Sequence, residues 1–199
     1  MSCHITSAGA SFTFEEITSD QQKKNAIYIA NHMINNASLT KVQAAAICGI
    51  CMSESRCNPM STNEKEKKTL PEGAYGAGIT QWTHVDTKNK ALTNAGFTAG
   101  TRIETLSLES QCKMLVGDST KRLKTQYDTL KMCMTIEDAT ATAYCFTGGP
   151  YWSEYKRKWG KEKLTERDAL ACAKHYGSNN GKPFYERLNY ATQILKWLQ

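Results

Sequence analysis

Proline is scarce, with four residues in a chain of 199, so no long proline-rich linker divides it into separate folding units. Long apolar runs are missing as well. The longest weakly polar stretch covers about eleven residues from Val42, against roughly 20 for a bilayer span, so no stable membrane insertion is expected. The opening MSCHITSAGASFTFEEI has neither a basic start nor a continuous apolar core, and no signal peptide is expected there. No internal repeat is visible, which sets aside a solenoid. No nucleic-acid reader motif accompanies the basic residues. These cluster at Lys65 to Lys68 and at Lys156 to Lys163, and the first cluster is interleaved with Glu64 and Glu66. Solvated faces explain them better than a nucleic-acid site.

What is present is an ordinary globular composition, 40% hydrophobic and 22% charged, on a length sufficient for one substantial core. The formal net charge of +6 suits an anionic partner. Eight cysteines would suggest a disulfide framework in a secreted chain, but without a signal sequence they read as reduced thiols. Cys48 and Cys51 form a CxxC with Cys57 close by, and Cys3 adjoins His4. Zinc or redox chemistry is one reading of that set. The other is small buried hydrophobes, and it is preferred because no second ligand pair follows at regular spacing. No metal and no cofactor are expected.

The helical signals run in order along the chain. A flexible lead over residues 1–18 precedes Ser19 or Asp20, a helix cap for the face Ala26, Ile27, Ala30, Met33 and Ile34. Thr40 caps a second helix to about Ser55, and Pro59 opposes its continuation. Residues 60–75 read as an exposed polar loop, and GAYGAGITQW as a small extended region near 74–82. Helical patterns resume at 84–95, 105–117 and 120–132. Thr135 and Asp138 then open a further helix, and Pro183 opens a last one over Phe184, Leu188, Ala191, Leu195 and Leu198. The fold class is mainly α with a small extended or β part.

One acidic side chain stands out in AAAICGICMSES. Ile47, Ile50 and Cys51 precede Glu54 by seven, four and three residues, so they share its helical face and the carboxylate continues a core-facing stripe. Poor solvation and the negative end of the helix dipole both disfavour the ionised form there, as suits a general acid. A cap partner or a salt-bridge member is the alternative. Beyond it, Gln81 offers an amide for sugar hydroxyl or acetamido groups, Trp82 a flat ring, and glycines such as Gly78 open backbone donors.

AAAICGICMSESRCNP followed by GAGITQWT resembles the phage tail lysozyme family, in which a small-apolar helix ends in an ESxxNP-like element and a Gly-rich segment ends in QW. LSLESQCKML, TATAYCFTGGP and ERLNYATQILKWL extend the resemblance over roughly residues 20 to 198. It implies a lysozyme-like catalytic domain over 19–199, with 151–182 as an insertion. The implied activity is peptidoglycan cleavage, a muramidase cutting the MurNAc-GlcNAc strand with Glu54 as general acid. Substrate contacts are expected from Ser55, Gly78, Gln81 and Trp82, and a second carboxylate from Asp86 or Glu72. A more distant similarity to lytic transglycosylases, in the order ES, GxxxQ and AY, places Tyr144 where a tyrosine approaches the catalytic glutamate. CFTGGP departs from that family's pattern after the tyrosine. A lytic transglycosylase and a non-catalytic wall-binding virion protein are the alternative functions. The implied partners are bacterial peptidoglycan and other phage tail proteins. The implied location is the virion tail, or the host cytoplasm before release to the wall.

Overall fold

In the computed structural model, residues 3–7, 10–147 and 182–199 are described. Strands β1 (Cys3–Ser7) and β2 (Ala10–Phe14) pair antiparallel, with Cys3 opposite Phe14 and Ser7 opposite Ala10. Eight α-helices follow among the described residues: α1 (Asp20–Ala37), α2 (Lys41–Ser55), α3 (Glu64–Thr69), α4 (Val85–Asn94), α5 (Leu108–Thr120), α6 (Lys124–Lys131), α7 (Ile136–Thr147) and α8 (Lys182–Leu198). A 3-10 turn, Ile103–Thr105, precedes α5. The architecture is mainly α, as the helical repeats predict, and is consistent with the lysozyme-like fold that the resemblance implies. The insertion expected at 151–182 lies, apart from Lys182, outside the described residues.

The helix starts follow from local chemistry. Ser19 caps α1 by accepting from Gln22 N. Thr40 and Gln43 form a reciprocal capping box, Thr40 N donating to Gln43 Oε1 at 3.0 Å and Gln43 N to Thr40 Oγ1 at 3.3 Å. Gln43 reaches further, donating from Nε2 to the carbonyls of Lys131 and Cys133 at 3.0 Å each. One side chain thus starts α2 and ties it to the end of α6.

Helix α2 is buried on every side from Gln43 to Met52, as an all-apolar helix must be. It packs against α1, α7 and α8. The approach of α8 is set by Gly49, where a Cβ would lie 2.6 Å from Arg187 O and 2.9 Å from Ala191 N. Both are backbone atoms and cannot swing away. Gly49→Ala would add about 1 kcal/mol of helix propensity, but overpacking against two backbone atoms that cannot swing away takes the upper part of the usual range, about 2–3 kcal/mol. We expect a net loss near 1–2 kcal/mol, a fall of roughly 2–8 °C in Tm. A thermal scan showing an unchanged or higher Tm would contradict the close packing.

Two expectations are corrected here. The lead expected over 1–18 contains the β1–β2 hairpin, which docks on α8. Phe14 is buried, the Phe12 ring stacks on Tyr185 with centroids 5.6 Å apart, Asn189 Nδ2 donates to Glu15 O, and Ile17 N donates to Gln193 Oε1. Phe12 of ASFTF finds its ring partner near the other end of the chain, where the Ile17–Gln193 bond likewise spans 176 residues. The exposed loop expected over 60–75 contains α3, which Asn63 caps by accepting from Glu66 N at 3.1 Å. The small extended region expected near 74–82 consists of turns with isolated antiparallel bridges from Ala77 to Thr62 and to Trp82.

Candidate active site

The end of α2 is built so that the chain turns sharply just after Glu54. Arg56 and Cys57 both take positive φ, at 58° and 55°, and the N–H of Arg56 bonds Met52 O while that of Cys57 bonds Cys51 O. Carbonyls of the last turn are satisfied in this way. Ser55 Oγ donates to Ile79 O at 2.8 Å and is 3.0 Å from Cys51 O, which fastens the helix end to the glycine-rich segment.

Glu54 leaves this corner with its side chain 24% exposed, beside a residue that sequence reading did not single out. Arg187 Nη2 of α8 lies 2.5 Å from Glu54 Oε1, and the arginine side chain is itself only 12% exposed. The same guanidinium donates from Nη1 to Pro183 O at 2.9 Å and lies 4.7 Å from the centre of the Tyr144 ring. Its Nε is buried with no partner. Helices α2, α7 and α8 therefore bring Glu54, Tyr144 and Arg187 together. The isolated, poorly solvated carboxyl expected from the helix face is instead an ion-paired carboxylate. Neighbouring contacts brace the same seam: Ser53 Oγ donates to Glu186 Oε2 at 2.8 Å, and Arg56 Nη1 to the Tyr190 hydroxyl.

The other expected contacts turn out differently. Trp82 is 5% exposed and its indole N–H donates to Asp118 Oδ2 at 3.3 Å. It belongs to the buried core, with its indole N–H spent on Asp118. Gly78 has φ +76°, and a Cβ there would meet Gln111 Oε1 at 2.6 Å; it is a packing glycine. Ser55 is buried and spends its hydroxyl on the helix end. Gln81 remains partly exposed, but its Nε2 holds the loop through Gly78 O at 3.1 Å and Ser61 Oγ at 3.3 Å. Asp86 is exposed in the first turn of α4. Glu72 lines a separate cavity whose walls do not include Glu54. Among the described residues, neither carboxylate shares a hydrogen bond or ion pair with Glu54.

Arg187 carried a faint signal, a charged residue beside the buried Leu188 in the first turns of an amphipathic terminal helix. Pairing it with a glutamate 133 residues earlier takes the tertiary structure. Gln111 was also missed; it supports the glycine-rich segment from inside the core.

Cys48, Cys51, Cys57, Cys112 and Cys133 are free and buried. Burial pushes the Cys48, Cys51 and Cys57 thiols up, helped by the neighbouring thiols, and the Cys112 thiol up to about 12. Such groups are poor nucleophiles and poor ligands at neutral pH. Among the described residues no group of three or more His, Cys, Asp or Glu side chains is arranged to hold a metal. Thiol titration of the native protein at pH 8 should leave these five unreacted until denaturant is added. Rapid modification of more than three of the eight cysteines in the native state would refute the buried assignment.

A carboxylate emerging at the end of a buried central helix, within a mainly α framework, defines a lysozyme-like protein. The chain belongs to the phage tail lysozyme family, whose model matches residues 24–198. No curated protein and no solved structure matches it. Family membership makes it a phage-type enzyme that degrades peptidoglycan. No helix among the described residues is long and apolar enough to cross a membrane.

Proposed function

We propose that the protein cuts the glycan strand of bacterial peptidoglycan at the MurNAc-GlcNAc bond, with Glu54 donating a proton to the glycosidic oxygen. The observation that carries this reading is the Glu54 carboxylate itself, partly open to solvent at the end of an otherwise buried helix and held by Arg187. Arg187 fixes the carboxylate's direction in the resting protein. Tyr144 supports this contact from the far side, since its ring carries the guanidinium.

After the proton is delivered, an oxocarbenium-like centre needs a partner. A second carboxylate would give inversion or retention according to its distance from the acid. Asp86 and Glu72 make no contact with Glu54 among the described residues, and this favours a second reading. In it the sugar's own groups complete the reaction, as in a lytic transglycosylase, and the product carries an anhydro end. Mass spectrometry of fragments from purified peptidoglycan separates the two, because the anhydro product is lighter by one water. Binding to peptidoglycan with no soluble fragments would instead identify a non-catalytic wall-binding virion protein. Attachment to other tail proteins, and wall access either from the virion or at host lysis, complete the proposal.

A further inference from the structure

A cavity of about 600 Å³ lies between the 67–75 segment, α4 and the 100–104 segment. Its charged lining consists of Lys67, Glu72, Lys88, Arg102 and Glu104, around the Tyr75 ring. These charges are not equally compensated. Glu104 Oε1 accepts from the Tyr75 hydroxyl at 2.8 Å and from Arg102 Nε and Nη2 at 3.0 and 2.9 Å, so Arg102 and Glu104 neutralise each other. Lys67 stands 3.7 Å from Glu64.

Lys88 is different. The residue is 8% exposed, its ammonium lies 4.3 Å from the centre of the Tyr75 ring, and no described carboxylate sits within ion-pairing distance. Burial holds this ammonium below its ordinary value, while the more distant charges of Glu104 and Glu66 pull the other way. A cation that has lost much of its water and has only an aromatic face for a partner is under-compensated. A carboxylate entering the cavity would restore what burial removed. The volume is in the range of small-ligand sites. Glu72, exposed and of opposite sign, lines the same cavity, so the walls suit a ligand bearing both charges better than a simple anion.

We propose that this cavity binds the stem peptide attached to the glycan strand, with Lys88 pairing a peptide carboxylate beside the Tyr75 ring and Glu72 receiving the peptide's amine. The proposal rests on the peptidoglycan reading above. It makes the cavity a peptide subsite apart from Glu54, which would select strands by the charge of their peptides.

The test uses the full chain and a free stem peptide bearing two carboxylates and one amine, alongside the same peptide with both carboxylates amidated. Neither contains a glycosidic bond, so the wild-type protein can be titrated by calorimetry. The acidic peptide should bind at least tenfold more tightly than the diamide. Lys88→Met, which keeps the stem and drops the charge, should abolish that difference, and Lys88→Arg should retain it. Equal affinity of acid and diamide for wild-type protein, or no binding of either, overturns the proposal without recourse to any variant. Displacement of the acidic peptide by acetate or inorganic phosphate at equal concentration would overturn the peptide assignment in favour of a simple anion site. The two readings fail separately. If the glycosidase reading fails, wild-type protein leaves strands uncut; if the peptide subsite fails, strands are cut and amidation does not change binding.

Discussion

Glu54→Gln should lower glycan cleavage by about 10²–10⁴-fold, the range that a positioned general acid contributes, while the fold is retained. The substitution is nearly isosteric, and the new amide oxygen can still accept from Arg187 Nη2, now 2.5 Å from Glu54 Oε1. Tyr144 keeps its guanidinium neighbour, so the seam between α2, α7 and α8 survives. What disappears is the ability to hold and release an acidic proton at that point, since a carboxamide does not donate one to a leaving oxygen at neutral pH. Soluble muropeptide release from purified peptidoglycan measures the effect, with far-UV circular dichroism and Tm as controls for folding. Wild-type release by the variant would remove Glu54 from the chemistry, leaving it a structural ion-pair member.

The largest loss of stability is expected from Gln111→Leu. Gln111 is fully buried, and its one amide serves four backbone groups from three segments. Oε1 accepts from Ile79 N at 2.9 Å, and Nε2 donates to Pro59 O at 2.7 Å, Ile103 O at 2.9 Å and Leu106 O at 3.2 Å. Leucine fills similar volume and satisfies none of them, and of the four only Ile103 O keeps a second partner among the described residues, the Leu106 N–H at 2.9 Å. Each buried group left unpaired costs about 1–3 kcal/mol. With some relaxation of the carbonyls toward water, a total near 3–6 kcal/mol is expected, a large part of the roughly 5–15 kcal/mol that holds a domain folded. At roughly 2–4 °C per kcal/mol for a chain of this size, Tm should fall by roughly 6–24 °C. A shift below 2 °C would show that the loops do not depend on this side chain. Activity should fall too, because Ile79 is also the residue that anchors Ser55 at the end of α2.

How far the chain could be read in advance depended on the range of the interaction. Ser19, the Thr40–Gln43 box, the Thr135 cap and Pro183 act within one helical turn, and each marks an element that forms where its local chemistry places it. The apolar repeats of α1 and α8 name most of their buried faces, but Ile27, Ile34 and Leu195 are only half-buried, and Ile29 and Ile194 take the core positions beside them. Ser55, Gly78 and Trp82 were taken for substrate contacts because a hydroxyl, a flexible backbone and a flat ring suit a sugar. Those same properties suit a tightly packed turn, and only the positions of Ile79, Gln111 and Asp118 show which use is made of them. The hairpin was missed for a related reason. Five-residue strands have little stability alone, and these are held by aromatic stacking on Tyr185.

The amino-acid sequence by itself determined that the chain is mainly α, where the long helices α1, α2 and α8 begin, and that Glu54 stands at the end of a helix too apolar to be anywhere but the core. These depend on hydrogen bonds and periodicities spanning a few residues. The tertiary structure alone decided that Arg187 meets Glu54, that Tyr144 backs the arginine, and that Lys88 lines a cavity against the Tyr75 ring with no described carboxylate in ion-pairing distance. A charge has no preferred partner until the helices have packed, and the contact between Gly49 and the backbone of α8 is what brings Arg187 within reach.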